Sequence, residues 1–361
     1  MSRPSEALLD LSALRHNVAL ARALAPTAKL MAVVKANAYG HGAVLMARAL
    51  EPLTEALAVA CLEEAMELRS AGIRCPILLL QGVFEQQELT LAAQEQLWLT
   101  IDNATQLAWL EQTPLPAPVH CWLKIDTGMH RLGVTPEQVG DFHRRLLACG
   151  KLAAAPVLTT HFACADDLRH PATEQQITDF EQLTSGLGGA RSAANSPATL
   201  AWPRSHYEWI RPGFMLWGNS PFTTPHAQAD CLRPVMTLRS RVISMRDIAA
   251  GECVGYGANW CATRASRIAT ITVGYGDGYP RSAQNGTPVL VNGLRAPLAG
   301  RVSMDMITVD VTDLPPVAIG DPVTLWGQGL PVGEVAQHAA TTGYELLTRM
   351  PARIPRKVIN E

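Results

Sequence analysis

The sequence predicts an α/β protein, an N-terminal (β/α)8 barrel followed by a mostly antiparallel β domain. Three observations carry this expectation. Eight short apolar runs alternate with helix-like segments over the first two-thirds of the chain, a Pro- and Thr-rich connection at residues 218–234 breaks the alternation, and β-type runs dominate beyond it. Short apolar strands separated by helical spacing predict βαβ units and a parallel sheet. Eight such units suit a closed barrel better than an open doubly wound sheet.

The barrel strands are expected at residues 30–34, 56–60, 76–80, 97–101, 119–125, 155–161, 190–194 and 208–211. Between them, residues 62–70, 86–93, 103–110, 138–149 and 174–183 carry apolar side chains at helical spacing. The barrel domain is expected over 1–230 and the β domain over 231–361. Residues 1–9 precede a helix opened by Asp10 and are expected to pair with the second domain. In that domain, strands are expected at 237–244, 268–273, 288–291, 307–311 and 322–326, with one helix at 332–340.

Composition excludes several functions. The chain has 361 residues, 48% hydrophobic and 17% charged, enough for two ordinary soluble domains. A formal net charge of −2 gives no electrostatic case for nucleic acid or an anionic membrane. The basic cluster Arg353 to Lys357 reads as a solvated tail. No apolar run approaches the ~20 residues needed to span a bilayer, and the first seventeen residues lack the apolar run of an export signal. A cytoplasmic location is the expectation. The eight cysteines form no CxxC pair and match no zinc spacing, so they read as free thiols in a reducing compartment, with no metal site.

The sharpest chemistry lies in LMAVVKANAYGHG, residues 30–42. An apolar strand delivers Lys35 at its C-terminal end, where barrel folds place their reactive groups. A lysine held against apolar surface loses its proton more easily, which suits Schiff-base chemistry; a lysine that simply ends a strand and reaches solvent is the plain alternative.

The string VVKANAYGHG closely resembles the cofactor-lysine motif of the alanine racemase family, and further matches follow in order along nearly the whole chain. The resemblance implies pyridoxal phosphate as cofactor, bound to Lys35 as an aldimine, with Tyr39 on its phosphate. LKIDTGMHRLG, residues 123–133, resembles the segment in which an arginine contacts the cofactor's phenolic oxygen and the substrate carboxylate. That role falls on Arg131, supported by Lys124, whose counterpart is often carbamylated. THFA resembles the segment whose histidine lies beneath the ring, here His161. ANS resembles the phosphate-holding serine segment and gives Asn195 and Ser196, with Ser196 also expected to cap the following helix. IRPG gives Arg211 for the pyridine nitrogen, with Gly213 and Phe214 on the phosphate. An arginine does not give up its proton, so the ring would be a weaker electron sink than one facing a carboxylate.

In the second domain, VGYGA, GYGDGY, GRVSMDM and GYEL resemble four family segments. They imply Tyr256 as a second catalytic base, Tyr275 and Arg301 in an entry channel, Met304 and Asp305 at the substrate carboxylate, and Tyr344 as a gate residue on the phosphate. The chain departs from the pattern at Trp217, where tyrosine is common, and at Ser303.

Racemisation needs acid–base groups on opposite faces of one carbon. The resemblance assigns these to Lys35 and to Tyr256 of a partner subunit. It therefore implies a head-to-tail homodimer acting on alanine. Three other readings are weighed beside it. A broader racemase of serine or lysine is disfavoured by the narrow gate of Tyr256 and Tyr344. A decarboxylase is disfavoured by Arg211. A non-enzymatic pyridoxal phosphate carrier is disfavoured by the second domain.

Overall fold

The computed structural model describes residues 3–361. The chain opens with strand β1 (Glu6–Asp10), whose last residue caps the helix Leu11–Leu24. The Ala13 amide donates to the Asp10 carboxylate at 3.0 Å, satisfying one of the free donors every helix N-terminus leaves. Eight strands come next: β2 (Lys29–Val33), β3 (Ala56–Val59), β4 (Ile77–Leu79), β5 (Leu97–Ile101), β6 (Cys121–Lys124), β7 (Val157–Thr159), β8 (Arg191–Ser192) and β9 (Trp209–Ile210). Each pairs with the next in parallel, and β9 returns to β2 to close the barrel. Strands covered on both faces read as continuous apolar runs rather than alternating ones. All four residues of β3, Ala-Leu-Ala-Val, are accordingly buried.

β8 and β9 are two residues each, shorter than the sequence suggests. The chain leaves the ladder early there, and single bonds such as Arg211 N–H to Ala194 O at 2.8 Å continue the attachment. The segments after these two strands are thereby turned into the barrel mouth.

The second domain is built on the long strand β10 (Met236–Ile248). With it come β11 (Cys253–Val254), β12 (Trp260–Cys261), β13 (Ser266–Ile271), β14 (Pro288–Val291), β15 (Leu294–Pro297), β16 (Ile307–Asp310), β17 (Pro322–Trp326) and β18 (Arg356–Ile359). The main sheet runs β15-β14-β17-β10-β1-β18, with β13 and β16 extending from β10. All its pairs are antiparallel except β1 with β18. Strand β1 therefore sits in the sheet of the second domain, between β10 and β18.

Three sequence expectations need correction. The basic cluster at 353–357 is not a loose tail: Arg356 and Lys357 lie in β18, and Lys357 pairs with Glu6 at 2.6 Å. The cysteines are not all free. Cys253 and Cys261 stand opposite each other in the β11–β12 register and form a disulfide, a pairing visible only once the hairpin register is known. A second helix, Gly343–Thr348, follows Val332–His338. It is only six residues, too short to show apolar periodicity.

The junction between the domains tolerates no added atom at Gly218. Its φ is +79°, and a Cβ there would lie 1.7 Å from Arg233 O. Asn17 Nδ2 donates to that same carbonyl at 2.8 Å. Gly218→Ala is expected to cost at least about 2 kcal/mol, read as a lowered urea midpoint with an unchanged m-value; an unchanged midpoint would refute the strain argument.

Candidate active site

A cavity of about 1350 Å³ opens at the C-terminal ends of the barrel strands, lined by Lys35, Tyr39, Lys124, Arg131, His161, Asn195, Ser196, Arg211, Gly213, Phe214 and Tyr344 among others. Lys35 follows β2 and begins an unusual turn. Ala36, Asn37, Ala38 and Tyr39 all have φ between +51° and +55°, a left-handed helical turn built from four non-glycine residues. Glu64 clamps it by accepting the Ala36 amide on one carboxylate oxygen and the Ala60 amide on the other, each at 2.7 Å. Asn37 Oδ1 accepts the Ala43 amide at 2.6 Å. His41, fully buried, stacks on Trp217 at 4.8 Å. Trp217, where the resemblance would put tyrosine, thus packs behind this turn.

Tyr39 points from the turn towards Gly213, where a Cβ would meet its hydroxyl at 2.5 Å. Only glycine leaves that approach open. Beside it, Ser196 Oγ accepts the amides of Gly213 at 2.9 Å and Met215 at 3.2 Å. The helix Ser196–Ala201 is capped by Asn195, whose side chain accepts the Ala198 amide. Capping by Ser196 is thus corrected: its hydroxyl faces the loop after β9 instead. Tyr344 closes this side, its ring stacked 3.6 Å from Phe214.

The floor is rich in basic groups. Buried Arg211 donates from Nη1 to Ser192 Oγ at 2.5 Å and from Nη2 to Thr160 O at 2.6 Å. It has no carboxylate partner, and its Nε–H meets no acceptor among the described residues. Burial draws its pKa down to about 10, which leaves it a cation at neutral pH. Its Nη2 also donates to His161 Nδ1 across a long 3.5 Å. Burial, then Lys124 and Arg211, hold His161 well below the ordinary imidazole range. Burial, then Arg211 and Arg131, bring Lys124 to about 7. Lys35 is lowered too, by burial and then Arg131, against an opposing pull from Glu64. Neither lysine amine makes a hydrogen bond to the described residues. The loop bearing Arg131 is shaped by Asp126, whose Oδ1 accepts the amides of Gly128, Met129 and His130 at 3.0 to 3.1 Å.

The remaining expected residues lie apart. Tyr256, Tyr275, Arg301, Met304 and Asp305 do not line the cavity but form a second cluster on the β domain. The amides of Tyr275 and Gly276 donate to Ser303 O and Met304 O at 3.0 and 2.9 Å. Gly257 lies against the Arg301 guanidinium. Tyr256 is 71% exposed and Met304 53%, so this chain alone leaves both facing solvent. Among the described residues no group of three His, Cys, Asp or Glu could hold a metal ion, and no helix is long and apolar enough to cross a membrane.

Residues 9–221 match the family described as alanine racemase, N-terminal domain, and residues 235–358 match alanine racemase, C-terminal domain. The catabolic alanine racemase of Pseudomonas putida is 52% identical over 359 residues, covering 99% of this chain and all of that protein. The biosynthetic alanine racemase of Pseudomonas aeruginosa is 50% identical over 355 residues, covering 98% and 99%. The crystal structure of the biosynthetic enzyme from Pseudomonas aeruginosa superposes with a TM-score of 0.95, at 50% identity and 99% coverage of both chains. The chain belongs to the alanine racemase family.

It is a racemase, and its barrel and β domain are those of the family. Several residues around the cavity escaped the sequence reading. Glu64 holds the turn after Lys35 from a neighbouring helix, where it reads as ordinary surface charge. Asp102 and Asp166 line the cavity, and burial raises the Asp102 carboxyl. Asp277, with its side chain fully buried, accepts both Arg3 guanidinium donors at 2.6 Å and Arg353 Nε at 3.0 Å. It also accepts the Gly274 amide at 2.9 Å, and so holds the turn bearing Tyr275. The GYGDGY motif contained it, but only the fold brings Arg3 and Arg353 to it.

Lys124 makes a testable contribution to stability. An unfolded chain binds its proton below about 10.5, the folded one only below about 7. Between those values the unfolded state carries more protons, so stability from this group falls as pH drops from about 10 to 7 and then levels. Lys124→Met removes that slope. In cofactor-free protein and buffer purged of carbon dioxide, which reacts with neutral amines, the variant should gain thermal stability over wild type as pH falls from 10 to 7. A pH-independent difference in Tm would show that Lys124 keeps an ordinary pKa.

Proposed function

We propose that this racemase interconverts L- and D-alanine, using pyridoxal phosphate held in the barrel mouth and a site completed by a second copy of the chain. The observation that carries this reading is the cluster of basic groups around Lys35. Unpaired donors at Tyr39 and Arg211, the Gly213 cradle and two lysines without partners fit an anionic ring compound bearing an aldehyde. Lys35 Nζ would hold the aldehyde carbon, Arg211 Nε–H the ring nitrogen, and Tyr39 with Ser196 the phosphate. His161 would lie under the ring, and Asn195, Gly213, Phe214 and Tyr344 would wall the phosphate side. When bound, pyridoxal phosphate withdraws electrons from an attached amino acid and makes its α-hydrogen acidic.

The chain's own groups do the rest. Lys35 Nζ handles the α-proton on the D face, and its proton affinity, lowered chiefly by burial, suits it to that role. Tyr256 Oη from the partner serves the L face. Arg131 holds the substrate carboxylate together with Met304 and Asp305 of that same second cluster, while Tyr275 and Arg301 line the approach. Arg211 keeps its proton throughout, which limits how far charge runs into the ring and favours return of the proton over side reactions. Lys124, with its pKa drawn down to about 7, is about half neutral near pH 7 and so placed to add carbon dioxide: its nitrogen bonds the carbon, one proton leaves, and the resulting carbamate would face Arg131. Relatives about half identical, named as alanine racemases, support alanine as the substrate. Tyr344, stacked on Phe214, would form with Tyr256 of the second copy a narrow gate that favours a small side chain.

A chiral assay with a panel of L-amino acids tests the substrate: alanine should be turned over at least tenfold faster than serine or lysine, and equal rates would refute the narrow gate. Complementation tests the shared site. Lys35→Ala and Tyr256→Phe homodimers should each be nearly inactive. Refolded together, they should regain activity approaching a quarter of wild type, because one site of each mixed dimer has neither lesion. No recovery, with mixed dimers confirmed by mass spectrometry, would place both residues in one chain's site.

A further inference from the structure

Tyr256 sits at the tip of the β11–β12 hairpin, which has little of its own to hold it. Each strand is two residues long, extended only by Gly251 N–H to Ala262 O at 2.7 Å and Ala262 N–H to Glu252 O at 2.8 Å, and a ladder that short is marginal in water. The loop turns through three positive φ values, Gly255 at +72°, Gly257 at +75° and Ala258 at +47°, and residues 255–259 are all exposed. Polar attachment to the body of the domain is sparse. Asn285 Nδ2 donates to Asn259 O at 2.9 Å, and the Gly300 amide donates to Asn285 Oδ1 at 2.8 Å. Against this background the Cys253–Cys261 disulfide closes the hairpin at its base. Both cysteines are exposed, whereas the other six remain free thiols.

We propose that Cys253 and Cys261 form a reversible thiol–disulfide site, taking a dithiol reductant as its substrate, whose oxidised form fixes Tyr256 in position for racemisation. The proposal rests on the reading of Tyr256 as the L-face base. Reduction follows ordinary exchange. One thiolate of the reductant attacks a cysteine sulfur and breaks the S–S bond, forming a mixed disulfide. The second thiolate then closes the reductant's own disulfide. Two electrons and two protons pass to Cys253 and Cys261, which end as thiols, and oxidised reductant leaves. The freed loop keeps its fold but samples more conformations, so Tyr256 Oη meets the substrate less often. Lys35, held in the barrel by Glu64 and Asn37, is unaffected. Cys253 and Cys261 are thus positioning residues, acting through Tyr256.

The test uses the holoenzyme. Peptide mapping under non-reducing conditions should find the 253–261 cross-link, and dithiothreitol should open it. On reduction kcat should fall by about tenfold, within the ~10²-fold that a one-ångström misplacement can cost, while cofactor absorbance stays constant. The α-deuterium isotope effect should rise with L-alanine, whose proton Tyr256 removes, and fall with D-alanine. A merely structural role would not split the two directions. Reoxidation should restore the rate. The Cys253→Ser/Cys261→Ser enzyme should match the reduced protein and ignore dithiothreitol. Unchanged kcat and isotope effects with both thiols alkylated would overturn the proposal, as would finding both cysteines free in enzyme isolated under air. A Tyr256→Phe enzyme with wild-type activity would instead sink the L-face assignment, whatever the state of the disulfide.

Discussion

The left-handed turn Ala36–Tyr39 fixes where the chemistry of this fold can happen. L-residues in that conformation cost about 1–2 kcal/mol each, so the turn persists only because its surroundings over-determine it. Glu64 takes the Ala36 amide and Asn37 takes the Ala43 amide. From the second domain, Arg356 Nε donates to Gly40 O at 2.9 Å, and Gly40 packs so closely on Leu347 that a Cβ would lie 1.9 Å from its carbonyl oxygen. The turn converts the exit of β2 into a tight reversal that leaves Lys35 at the cavity and swings Tyr39 to its far side. Two residues four apart in sequence thereby line one cavity.

The charges around that lysine sort themselves by whether they can be shed. Lys35, Lys124 and His161 are all shifted towards giving up their protons, by burial first and by neighbouring cations second. Arg211 has no such option in the physiological range. A buried cation without a carboxylate is costly unless something negative or strongly polar is supplied. Buried Arg211 therefore marks where an incoming ligand must present an acceptor, while the lysines mark where an amine can act as nucleophile or base.

How much of this was legible in the sequence depended on whether the signal was local. The strand at residues 97–101 and the apolar run ending at Lys35 are local patterns, and both appear where expected. A short run of apolar side chains with a polar residue or a turn at its end suffices to see them. The left-handed turn gives no such signal, because Ala-Asn-Ala-Tyr contains no glycine to announce positive φ. Glu64, Asp277 and the Cys253–Cys261 pair were also silent. Each acts through a contact set by tertiary register, with Asp277 meeting Arg3 across 274 residues of chain. Ser196 and Asn195 show the subtler failure: either side chain can cap a helix, and only the packing of the loop after β9 decides which does.

The C-terminal segment links the two halves of the chemistry within one chain. Tyr344 walls the cavity, Leu347 and Arg356 brace the turn after Lys35, and Arg353 reaches the other way to Asp277 and Asp305. A displacement of this segment would therefore disturb the cavity and the Tyr275–Asp305 cluster together. Yet the cluster presents Tyr256 and Met304 to solvent rather than to its own cavity. In the proposed dimer each chain lends its cluster once and receives its partner's once, and a two-fold arrangement satisfies both requirements with one repeated contact. Such a contact buries exposed apolar side chains and completes both sites in the same step, so assembly and catalytic competence become one equilibrium rather than two. With the cavity braced inside its own chain and the Tyr256 hairpin closed by its disulfide, the partner needs only to dock, with little left to order on arrival.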